Sequence, residues 1–119
     1  MKKVFLSFSF AAQGIVHALK RERNMKIHLA ASFIVILMGI FFSLTKTEWL
    51  FVLMAIGGVI SLELVNTAIE RVVDLATAQA HPLAKQAKDV AAGAVFIFAI
   101  FSVVIGLIIF VPKIFRFFT

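Results

Sequence analysis

The stretch Glu63-Leu-Val-Asn-Thr-Ala-Ile-Glu-Arg-Val-Val-Asp74 places three carboxylates and one amide at positions 63, 66, 70 and 74. On a helix these positions share a wedge of roughly 80°. The stripe ends a long apolar run, where each carboxylate costs about 2.5–3.5 kcal/mol at the depth of a bilayer centre. Acids gathered on one face in such a place call for a cation to meet them. A hard cation such as Mg²⁺ takes one or two carboxylates and fills its remaining positions with phosphate oxygens and water. Glu22, on a different element, is the natural second donor to the stripe. Lys88 could neutralise phosphate charge. Glu63 lies deepest, roughly 10 Å of helix below Glu70, where a base could take a proton from an alcohol held at the bilayer surface. Together these residues point to phosphoryl transfer, with nucleotide arriving from water and alcohol from lipid.

A plainer reading stands beside this one. Polar residues on one helix face also hold membrane helices together. Lys85 and Lys88 read as solvated interfacial side chains, and Arg71 reads as an i, i+3 partner of Asp74. His28 and His81 read as interfacial, and His17 as facing water. A cation or proton pathway would spread its acids across the membrane, whereas these sit at one end. The chain contains no Walker A motif and no soluble-kinase signature.

Positioning this stripe requires helices in a membrane. The chain of 119 residues is 62% hydrophobic with a mean hydropathy of +1.06, more apolar surface than a soluble domain of this size can bury. We therefore expect an all-α integral membrane protein, a single domain over residues 1–119. Three transmembrane helices are expected at 27–44, 49–75 and 90–111, after an N-terminal amphipathic surface helix over 1–24. Phe5, Phe8, Ala12, Ile15, Val16 and Leu19 form the apolar stripe of that surface helix, which reads as structure rather than as a cleaved leader. Gly14 could admit a close helix contact or a bend. Thr45 with Glu48 forms a capping box for the second span, and Trp49 suits the interfacial belt. Pro82 suits the first turn of the last helix, and Pro112 is expected to end it.

The charge pattern orients the chain. Six Lys or Arg precede the first span and three lie between Arg71 and Lys88, against one in the 45–48 turn and two in the tail. The excess places the N-terminus and second loop in the cytoplasm and the C-terminus outside. The net charge of +6 fits anionic headgroups, and no soluble portion is left to bind nucleic acid. With no Cys and three scattered His, disulfides and a structural zinc site are excluded or disfavoured.

The Glu63–Asp74 stretch resembles the signature of the prokaryotic-type diacylglycerol kinase family. Ala84-Lys-Gln-Ala-Lys-Asp-Val-Ala-Ala-Gly-Ala94 is similar to the family's second motif, and Arg21-Glu-Arg-Asn-Met-Lys26 to its first. Glu-Arg-Asn before the first span and His81-Pro-Leu-Ala-Lys85 resemble the Gram-positive branch of undecaprenol kinases. The resemblance implies a lipid kinase of the bacterial plasma membrane, a homotrimer with active sites shared between protomers. It would use ATP and Mg²⁺ on undecaprenol, or on diacylglycerol as the alternative. It implies Glu63 as general base, Asn66 beside it and Asp74 as a supporting acid. Glu22 and Glu70 correspond to ligands of the nucleotide-bound magnesium. Lys88 and Asp89 correspond to ATP contacts, as do the loop positions Gln79, Ala80 and His81. Lys3 stands where the family can have Arg, and Phe10 where it can have Tyr beside the nucleotide.

Overall fold

The computed structural model describes residues 1–119 as four helices and no strand. They are α1 (Lys2–Arg21), α2 (Arg23–Phe41), α3 (Lys46–Ala76) and α4 (Pro82–Phe118). The last three are long and apolar enough to cross a membrane. Only 14 of 119 residues are buried within the chain, so most of the apolar surface must face lipid or other copies. The molecule measures 57 × 43 × 21 Å. Its thickness is about two helix diameters, and the spans form a thin layer around α3.

Each helix boundary has a local cause. Glu22 alone interrupts α1 and α2, with φ −104° and ψ 118°. One extended residue thus turns the surface helix into the first span and aims a carboxylate sideways from the corner. At the other end of α2, Ser43 adopts φ 53°. Leu44 N–H donates to the Gly39 carbonyl and Ser43 N–H to the Ile40 carbonyl, both at 3.2 Å. That pair of bonds is a Schellman ending, and it leaves Leu44 buried against the core. The capping box then starts α3: Thr45 Oγ1 accepts from Glu48 N–H at 3.2 Å, and Thr45 N–H donates to Glu48 Oε1 at 2.9 Å. The Thr45 backbone bond, helped by the Lys113 ammonium, holds the Glu48 carboxyl below its usual range. His81 caps α4, its Nδ1 accepting from Leu83 N–H at 3.1 Å, with Pro82 in the first turn.

Pro112 does not end the last helix as expected, because α4 continues through it to Phe118. A mid-helix proline loses one backbone bond and costs about 3 kcal/mol. Contacts beyond it offset that cost. Lys113 Nζ reaches Glu48 Oε1 at 3.1 Å, Ile114 packs on the core, and the Phe117 ring meets Phe41 and Phe42 edge-on.

The tightest packing lies between α3 and α4 and at the far end of α2. Leu44, Val52, Ile109 and Phe110 form the core there, ringed by Val35, Met38, Trp49 and Ile105. Two glycines permit close approach. A Cβ on Gly39 would lie 2.7 Å from the Trp49 ring, and one on Gly58 would overlap the Phe98 ring. Gly14, expected to serve such a contact, has open space where a Cβ would stand. Gly58→Leu should therefore destabilise the α3–α4 pair by about 1–3 kcal/mol through overpacking. Gly14→Ala should be neutral or stabilising by up to about 1 kcal/mol from helix propensity. Thermal unfolding of the two variants in one detergent checks the contrast, and a Gly58→Leu midpoint equal to wild type would refute the packing.

Candidate active site

The acidic face of α3 meets three other parts of the chain near one end of the bundle. Glu63 and Asn66 are buried, with 3% and 7% of their surface exposed, and Glu70 is half-buried. Their i, i+3 and i+4 spacing stacks them on one face. Asn66 Nδ2 lies 3.4 Å from Glu70 Oε1. Asn66 Oδ1 is buried and has no partner. Such an orphan acceptor is uncommon in a native chain and marks a place where another molecule could supply the donor.

Glu22 reaches this face from the α1–α2 corner. Its Oε1 accepts from Arg71 Nη2 at 3.2 Å. Arg71 thus pairs across 49 residues of sequence, not with Asp74 on its own helix. Asp74 is held instead by Lys88, whose Nζ stands 2.6 Å from Asp74 Oδ1. The hydrogen bond to Asp74 holds the Lys88 ammonium above its usual range. Glu70 lies within electrostatic reach of Lys88 as well. Glu22, Glu70 and His28 lie within the same reach of Glu63.

Beyond Asp74 the α3–α4 connection surrounds an open cleft of about 700 Å³. Asp74, Gln79, Ala80, His81, Lys85 and Lys88 line it. It is long enough in polar and backbone groups to take the water-soluble part of a substrate. The Lys88–Asp74 pair at its edge is half-exposed, so solvent screens it and it is weakly held. An incoming phosphate could draw Lys88 away.

Three residues singled out from the sequence stand apart. Asp89 is taken by Lys85 Nζ at 2.6 Å and does not line the cleft. Lys3 and Phe10 lie on α1 about 28 and 18 Å along the helix from Glu22, and both are exposed. One copy of the chain does not bring them to the site. In the other direction, the sequence makes His28 interfacial, yet its Nε2 is 3.5 Å from Glu63 Oε2. The only sequence signal was its position, the sole ionisable side chain in an otherwise uncharged segment.

No group of three or more acidic or histidine side chains converges as a metal cage. Glu22 and Glu70 each lie within electrostatic reach of Glu63, and two carboxylates of this kind could hold a cation that keeps water or phosphate oxygens as its other ligands.

Comparison with known proteins identifies the family. Residues 9–110 match the prokaryotic diacylglycerol kinase family. The undecaprenol kinase of Bacillus subtilis is 50% identical over 113 residues, covering 95% of this chain and 92% of the relative. A diacylglycerol kinase of Synechocystis is 38% identical, covering 92% of this chain and 63% of the relative. One from Haemophilus influenzae is 33% identical, covering 87% and 89%. With the match running through both the acidic face of α3 and the start of α4, the chain belongs to the prokaryotic diacylglycerol kinase family and is a membrane lipid kinase.

Proposed function

We propose that this protein transfers the γ-phosphate of ATP to undecaprenol, giving undecaprenyl phosphate at the cytoplasmic face of the bacterial plasma membrane. The observation that carries the site is the buried Glu63, with Glu22, Glu70 and His28 within electrostatic reach of it. The choice of alcohol is supported by the 50% identity to an undecaprenol kinase, against 38% and 33% to diacylglycerol kinases. The orientation is supported by the nine Lys and Arg on the side of α1 and the α3–α4 loop, against three opposite.

Each residue then has a task. Glu63 accepts the alcohol proton as the alcohol oxygen attacks phosphorus in line, in a direct displacement. Asn66 holds Glu70 and offers its free Oδ1 to a donor group in the bound complex. Glu22 and Glu70 would hold Mg²⁺, which when bound supplies positive charge against the phosphates. Arg71 fixes the Glu22 carboxylate, and Asp74 holds Lys88 near the cleft. Gln79, Ala80 and His81 border the nucleotide, with Asp89 orienting Lys85. Lys3 and Phe10 would complete the nucleotide site from a neighbouring protomer of a homotrimer, which would also cover part of the exposed apolar surface.

The purified chain in detergent, given undecaprenol and ATP, should form undecaprenyl phosphate detectable by mass spectrometry. Chelation of divalent metal should reduce formation to background, and added Mg²⁺ should restore it. Undiminished product after chelation would remove Glu22 and Glu70 from a metal role.

A further inference from the structure

A buried base must release the proton it takes before it can act again. Glu63 is 3% exposed, so water has little direct access to it. Asn66 and Thr67, its neighbours on α3, cannot hold a proton. Glu22 and Glu70 are also acids within reach, and the nearby cations Arg71 and Lys88 are engaged by Glu22 and Asp74. The remaining group in contact is His28 on α2, with Nε2 at 3.5 Å from Glu63 Oε2. Its side chain is 25% exposed against 4% for that of Glu63, so the imidazole is the more accessible member of the pair.

The surroundings favour a functional reason for this histidine. His28 lines a chamber of about 290 Å³ between α2, α3 and α4. Every other lining residue is uncharged, from Ala31 and Val59 to Ala99 and Ser102. An apolar side chain would fit that wall at lower cost. Ser32 Oγ donates to the His28 backbone carbonyl at 2.7 Å, a local i, i+4 bond that does not involve the imidazole.

We propose that His28 is the positioning residue and proton outlet of Glu63, an inference that rests on Glu63 being the base. The alcohol proton passes to Glu63 as the new oxygen–phosphorus bond forms. The bond from that phosphorus to its bridging oxygen breaks, and its electron pair leaves with ADP. Protonated Glu63 then gives the proton to His28 Nε2, and the imidazolium loses it to water. The 3.5 Å separation closes to hydrogen-bond length in the reacting complex, as catalytic contacts commonly do.

The test compares wild type with His28→Gln, which keeps a polar side chain of similar reach but cannot carry the proton. Ser32→Ala serves as a nearby control. In His28→Gln, kcat should fall at least about tenfold, with KM for alcohol and ATP changing less than about twofold, and the pH–rate profile should change shape. Ser32→Ala should keep the wild-type profile. Unchanged kcat and profile in folded His28→Gln would overturn the proposal. If Glu63→Gln is inactive in the same assay, that result spares the base assignment. If Glu63→Gln is fully active, both fall. Should His28→Gln not fold, NMR of isotope-labelled histidine decides in wild type and Glu63→Gln. The facing groups Glu22, Glu70, Arg71 and Lys88 are the same in both. The His28 ring resonances should move when Glu63 becomes Gln, and identical spectra would contradict the contact.

Discussion

Replacing Glu63 by Gln is expected to lower turnover by about 10²–10⁴-fold, the usual contribution of a positioned general base. The amide keeps the size of the side chain and its hydrogen-bonding capacity, but it cannot accept the alcohol proton. Thermal stability should not fall with activity. Glu63 is among the most buried polar side chains of the chain, on a membrane helix, where a carboxylate is costly and an amide less so. A residue held for function at the expense of stability behaves in this way. The opposite pattern, full turnover with lost assembly, would make the stripe a device for holding helices together. Activity and the unfolding midpoint measured on one preparation separate the two.

Glu70→Gln should be nearly as damaging, with a different signature. Glu70 has Asn66 on one side and the Lys88 charge within reach on the other, and it is half-buried where Glu63 is buried. Loss of one of two carboxylate donors should weaken Mg²⁺ by orders of magnitude, because the cation then relies on Glu22, phosphate and water. We expect turnover near background at ordinary Mg²⁺ and partial recovery as Mg²⁺ is raised. Glu63→Gln should show no such recovery. A Glu70→Gln enzyme with wild-type turnover and an unchanged Mg²⁺ response would end the metal-ligand role.

Much of the site could be read before the fold because it is periodic. Glu63, Asn66, Glu70 and Asp74 keep helical spacing, so one helix suffices to align them. The capping box of Thr45 and Glu48 is equally local. Contacts between distant parts of the chain were not legible. Arg71 had an acid three residues away, and only the extended backbone at Glu22 shows why it turns elsewhere. His28 looked interfacial because its partner lies on another helix. Pro112 predicts a helix end on local grounds, and tertiary contacts from Lys113, Ile114 and Phe117 override it. Glycines carry no periodic signal of their role. Gly58 and Gly39 sit under aromatic rings while Gly14 faces open space, and only the packing tells them apart.

The most direct measurement offers undecaprenol and diacylglycerol together to the full chain in detergent micelles, with Mg²⁺ and γ-labelled ATP. Undecaprenyl phosphate carrying most of the label is the predicted result. Label chiefly in phosphatidic acid would contradict the proposed substrate while leaving the lipid kinase and its site in place.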